Sequence, residues 1–149
     1  MSVVVRTVTR VILPVALAFG AYVIMHGHLT PGGGFQGGAV TASIVALLVV
    51  VYGGARLKGA KGWFAVLEDV GALAFVLLAF LGIGATFFRN VLAGSGGLFG
   101  APVPQPGPNP GALNTAGTLP LMNWAVGLKV IAGLGSVVLL LSLFGREDG

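Results

Sequence analysis

Cysteine is absent from this sequence, and with it go structural disulfides, thiolate metal sites and iron–sulfur ligation within the chain. Charge is scarce too: 8% of residues are Asp, Glu, Lys or Arg, against 56% hydrophobic. Four carboxylates, Glu68, Asp69, Glu147 and Asp148, and two histidines, His26 and His28, are the whole supply of acidic and imidazole groups. The eight basic residues form no stripe and no alternation with aromatics, which argues against a nucleic-acid partner. With a mean hydropathy of +0.99, the solvent for most of this chain is the lipid bilayer, and the class is integral membrane protein.

A length of 149 residues allows about four crossings of roughly 20 residues each. The apolar runs place them at 9–26, 35–52, 65–88 and 121–144, giving an all-α fold of four transmembrane helices in a single membrane domain, 1–149. Arg6 and Arg10 ahead of Val11–Met25 have the order of a secretory signal. The small-residue cleavage candidate Ala16-Leu17-Ala18 falls inside the apolar run, however, so the segment is read as the first crossing. Pro14 predicts a kink within it, or else the end of a first turn looser than the rest.

What is abundant is glycine, and its densest cluster organises the chain. From His26 to Gly38 the sequence reads His-Gly-His-Leu-Thr-Pro-Gly-Gly-Gly-Phe-Gln-Gly-Gly. Pro31 disfavours helical geometry at Thr30, and Gly32, Gly33 and Gly34 together lower helix propensity by roughly 3 kcal/mol relative to alanine, so the chain must turn here. Gly38, Ala42 and Ala46 then follow at four-residue spacing, with Gly37 and Thr41 on an adjoining strip, a pattern that lets helix backbones approach closely in lipid.

The loops carry the topology. Arg6 and Arg10, then Arg56, Lys58 and Lys61, then Arg146 fall on one side, against Arg89 alone on the other; the expectation is cytoplasmic termini, with the glycine turn and the long Pro/Gly-rich loop between the third and fourth crossings outside the cell membrane. Prolines at every second position from 102 to 110 favour extended polyproline geometry in that loop. They suit either a plain connector or a strap across a neighbouring subunit.

Few residues offer chemistry. A glycine cluster opening a helix can cradle phosphate, but Phe35, Gln36 and Gly37 stand where a nucleotide loop needs Lys and Ser or Thr. His26 and His28 suit proton transfer or capping of the first helix's C-terminal end. Metal is not expected, because the four carboxylates are placed at the opposite membrane face. Glu68 and Asp69, about one turn into the third crossing, are expected to pair with Lys58 or Lys61, the alternative being the mouth of an ion path. Lys129 is then the only charge deep inside a crossing, about 12 Å from its outer end and roughly 20 Å from any carboxylate. On these spans it has no partner in the chain and must face another subunit, there meeting an acidic group, a carbonyl or a hydrated ion path.

The block Gly27-His28-Leu29-Thr30-Pro31-Gly32-Gly33-Gly34-Phe35-Gln36-Gly37-Gly38, with the later Gly117-Thr118-Leu119-Pro120-Leu121-Met122-Asn123-Trp124-Ala125-Val126-Gly127-Leu128-Lys129, resembles the B subunit of Mrp-type multisubunit cation/proton antiporters. The likeness covers nearly the whole chain. It implies a small four-helix subunit, with no catalysis and no cofactor of its own, that joins other membrane subunits in exchanging Na+ for H+. Closely similar subunits occur in the membrane arms of membrane-bound hydrogenases and related respiratory complexes, the alternative context. A self-sufficient four-helix exporter is a third reading, disfavoured because it needs a mid-membrane carboxylate that these spans do not supply.

Overall fold

The computed structural model describes residues 2–102 and 111–144. The prolines at 104–110 and the tail charges Arg146, Glu147 and Asp148 lie outside them. Among the described residues there are four long helices and no strand: α1 (Val3–Met25), α2 (Gly34–Tyr52), α3 (Lys61–Phe80) and α4 (Leu119–Phe144), with a short 3₁₀ segment, Gly54–Ala60, ahead of α3. Among the described residues four segments are long and apolar enough to cross a membrane, the third being Gly54–Phe80 with its 3₁₀ entry.

The helices are arranged as an open layer. α4 packs against both α2 and α3, α1 packs mainly on α2, and the backbones of α2 and α3 lie apart. The order across the layer is therefore α1, α2, α4, α3, with the two edge helices mostly uncovered. Glycine sets the spacing of the inner pairs. A methyl group on Gly38 would stand 2.8 Å from Val130 Cβ and 3.0 Å from Gly127 O, so α2 and α4 meet almost backbone to backbone. Gly37, one residue earlier, faces α1 instead, where a methyl group would stand 2.8 Å from Gly20 O. The two small-residue strips of α2 thus serve two neighbours: Gly38 and Ala42 are buried against α4's side, Ala46 is half-buried, and Thr41 meets Gly20 of α1. Close approach of this kind is how helices associate where lipid offers no hydrophobic driving force.

Three boundaries differ by more than two residues from those read off the sequence. α1 begins at Val3, six residues before the expected 9, because Ser2 Oγ accepts from Val5 N–H and so caps it. It runs as helix through Pro14. The third crossing begins earlier as well, since Arg56, Lys58 and Lys61 belong to the 3₁₀ entry and first turn of α3 and not to a loose linker. It ends at Phe80 in place of 88. Gly82 and Gly84 weaken helix propensity there, and the chain folds back so that Phe88 N–H donates to Ala79 O at 3.0 Å. The rings of Phe88 and Phe87 then pack on Phe75 and Phe80, with centroids 5.5 and 5.3 Å apart.

The segment between α3 and α4 is folded around Asn90. Its Nδ2 donates to Ala116 O at 2.8 Å, and its Oδ1 accepts from Thr118 N–H at 2.8 Å. Thr118, the residue before α4, is fully buried and accepts from Met122 N–H through its carbonyl at 3.0 Å. Asn90 therefore fixes where α4 starts, and Pro120 occupies the first turn, where a missing N–H costs nothing.

Candidate functional site

At one end of the layer the glycine turn is locked onto α4. His26 caps α1: its N–H donates to Tyr22 O at 2.9 Å, its Nδ1 lies 3.0 Å from the same carbonyl, and its ring stacks on Tyr22 with centroids 3.9 Å apart. Thr30 Oγ1 donates to His26 O at 3.2 Å, closing the turn. Gly32 and Gly33 take φ of +140° and +121°, which only glycine adopts without strain, and Gly33 precedes α2 with no side chain to cap it. The cap comes from another helix: Gly34 N–H donates to Asn123 Oδ1 at 3.4 Å. Asn123 thus supplies one of the acceptors that the first turn of α2 needs. Pro31, Phe35 and Gln36 point outward, whereas Gly33, Gly34, Gly37 and Gly38 are buried.

His28 sits in the same turn, with both ring nitrogens shielded from solvent and unbonded. Desolvation holds its pKa below the ordinary 6.5, and neighbouring His26 adds to that; the Ala112 backbone pulls the other way but forms no bond of ordinary geometry. The unfolded chain therefore binds a proton more readily than the native turn does. Any contribution of neutral His28 to stability is complete above the unfolded value of 6.5 and is lost progressively as pH falls from there through the lowered native pKa. Thermal melts of the purified protein between about pH 8 and about pH 5 should show a midpoint that declines below about 6.5 in the wild type and is flatter in His28→Phe. A profile unchanged by that substitution would assign the decline to other groups.

The second cluster lies halfway along the helices. Lys129 Nζ and Glu68 Oε1 are 3.2 Å apart, an ion pair between α4 and α3. This overturns two expectations: Glu68 pairs with neither Lys58 nor Lys61, and Lys129 has a partner within its own chain. The reason is the register of the third crossing. Because that span opens at Gly54 and not at 65, Glu68 lies near its middle. Gly71, one turn further on, packs against Lys129 itself, a methyl group there standing 2.8 Å from both Ala125 O and Lys129 N. The side chain of Glu68 reaches back toward Gly133. Measured along α4 at 1.5 Å per residue, Lys129 is about 15 Å from Leu119 and about 22 Å from Phe144. A mid-span carboxylate is thus present, and its supposed lack no longer counts against an exporter.

The pair is not enclosed. The Lys129 and Glu68 side chains are 49% and 37% exposed on the chain by itself, in a groove lined by Phe35, Val126, Val130, Gly133 and Leu134. Asp69, the next residue, is exposed and makes no hydrogen bond or ion pair among the described residues. The structure therefore gathers Glu68, Asp69 and Lys129 at mid-span and leaves His26 and His28 with the turn at one end of the layer. Asn90, the organiser of the α3–α4 connection, escaped the sequence reading; its only signal was a lone amide in an otherwise apolar and glycine-rich stretch.

Residues 4–136 match the model of a domain related to the MnhB subunit of Na+/H+ antiporter. An uncharacterized protein of Methanocaldococcus jannaschii is 39% identical over 134 residues, which cover 85% of this chain and 47% of that protein. A Staphylococcus aureus (strain MRSA252) protein named for an antiporter subunit, mnhB2, is 37% identical over 88 residues, 58% of this chain and 60% of its own length. Its counterpart in strain Newman is 36% identical over 81 residues, 54% of this chain and 57% of its own. The chain spans about half the length of the curated relatives it matches.

Proposed function

Because this chain belongs to the family of domains related to the MnhB subunit of Na+/H+ antiporters, we propose that it is a non-catalytic, multi-pass subunit of a multisubunit cation/proton antiporter module. Its roles there are assembly and a contribution to the ion path. The observation that carries this reading is the half-exposed Lys129–Glu68 pair at mid-span of an open helical layer. Placing an isolated lysine at that depth costs about 2.5 to 3.5 kcal/mol on translocon scales, so such groups are held where they pair, meet water or face protein. An open layer that displays them sideways suits a piece of a larger assembly better than a free-standing exporter. Na+ and H+ are the ions proposed, and the cell membrane the site, with cytoplasmic termini and the glycine turn outside.

Affinity purification of the tagged chain from its own membranes is the test. Other integral membrane subunits should co-purify, and vesicles containing the assembly should show Na+-dependent dissipation of a pH gradient that is lost without this chain. Hydrogenase subunits in the purified material would move it to the respiratory context; the chain alone, active as a homomer, would overturn the assignment. In the same cells a single cysteine at Gly33 should label from outside and one at Gly59 should not. The reverse pattern would invert the orientation.

A further inference from the structure

The acidic residues at mid-span outnumber the basic ones. Glu68, Asp69 and Lys129 lie within about one helical turn of one another along the helix axes, and Lys129 already bonds Glu68. Asp69 is left exposed, one residue further along α3 and therefore about 100° further around its circumference, away from the α4 side where Gly71 is buried. Ala65 and Ala72, four residues before and three after, share its strip, so the backbone beside it is accessible to another helix. Lipid tails offer no counter-charge, and among the described residues no cation pairs with Asp69.

Resting on the antiporter-subunit reading, we propose that the exposed face of α3 beside the groove, centred on Asp69, is the docking surface for a transmembrane helix of a different subunit that carries a lysine or arginine at mid-membrane depth. Charge complementarity selects this occupant. Two carboxylates and one ammonium leave a net negative face, and a carboxylate within the hydrocarbon is stable when paired with a cation. A lipid tail supplies no cation. A second copy would present the same net negative face, with its mid-span lysine, Lys129, already engaged by its own Glu68. The helix that docks here also covers the exposed flank of the Lys129–Glu68 pair, which turns a half-exposed ion pair into one enclosed between subunits.

The lack of native cysteine makes the test direct. Single cysteines at Ala65 and Ala72, and a control at Val15 on the far edge of the layer, are fitted with a thiol-reactive photo-crosslinker in membranes that hold the whole assembly, and the adducts are mapped by mass spectrometry. Adducts from 65 and 72 should converge on one helix of another subunit, with Lys or Arg within about one turn of the attachment point. In the Asp69→Lys variant those adducts and the yield of assembled complex should fall about tenfold, and Asp69→Glu should restore both. Membrane-inserted chain, quantified separately, should be unchanged in Asp69→Asn while that variant also loses the adducts. Adducts to a second copy, to lipid alone or to a helix with no basic residue would overturn the proposal, as would normal assembly of Asp69→Lys. If Val15 captures other subunits and positions 65 and 72 do not, the docking surface is wrong and the subunit assignment stands; if no other subunit co-purifies at all, both fall.

Discussion

Lys129→Met should reduce assembled, active complex by one to two orders of magnitude, and adding Glu68→Gln should recover a large part of the loss. Each single change strands one charge at mid-span: methionine leaves the Glu68 carboxylate without its ammonium 3.2 Å away, and glutamine leaves the lysine without its acceptor. Stranding costs of about 2 to 3 kcal/mol follow from translocon scales, lowered somewhat because both side chains are partly exposed and a neighbour or water can reach them. The double variant removes both charges and keeps similar volumes, so its cost should be well under the sum of the singles. A coupling energy of about 1 to 3 kcal/mol in a double-mutant cycle on complex stability is the expected reading. Strict additivity would show that the two groups act separately. Exchange activity then divides the roles: if the double variant assembles normally and exchanges ions normally, the pair serves assembly alone, whereas normal assembly without exchange puts it in the ion path.

The same pair shows where sequence reading succeeds and where it stops. Four crossings and the turn at 26–38 were legible because long apolar runs and a proline followed by three glycines are local signals. The start of the third crossing was not. Arg56, Lys58 and Lys61 look like loop residues, and counting the span from 65 placed Glu68 at the membrane's edge; the chain instead winds Arg56 and Lys58 into a 3₁₀ turn that leads into α3, which Lys61 opens, and this moves Glu68 to mid-span. The α-helix starts four residues before 65 and the whole span eleven, more than the one or two residues by which a helix end is ordinarily uncertain, and that shift decides whether Lys129 has a partner. The glycine block raised the converse difficulty. Its turn could be read from Pro31 and Gly32, but that Gly34 needs to be glycine depends on Asn123, 89 residues away, and no local pattern announces it.

Alanine in place of Gly34 should therefore be among the most damaging single substitutions in the chain, although it adds one carbon. Its Cβ would collide with the carbonyl oxygen of Asn123 and stand 2.8 Å from Val126 Cβ and 2.9 Å from Gly127 N. Two of these three atoms are backbone and cannot rotate away, so α2 and α4 must separate. That separation also breaks the bond from Gly34 N–H to Asn123 Oδ1 and loosens the contact at Gly38 one turn along. Ordinary overpacking costs about 1 to 3 kcal/mol; with an unyielding backbone wall and a lost cap, roughly 3 kcal/mol or more is expected, enough to remove most assembled complex. Gly33→Ala fails for a different reason, since its φ of +121° strains any side chain, at a cost of about 1 to 3 kcal/mol. Gly59 and Gly62 supply the controls, because a methyl group at either meets nothing within 4 Å. Gly62→Ala, inside α3, should be neutral or stabilising by up to about 1 kcal/mol through helix propensity. The order of thermal midpoints for the purified assembly should run Gly62→Ala at or above wild type, then Gly33→Ala, then Gly34→Ala lowest. A Gly34→Ala assembly that melts with the wild type would mean that α2 and α4 are not in backbone contact at the turn, and the clasp by Asn123 would fall with it.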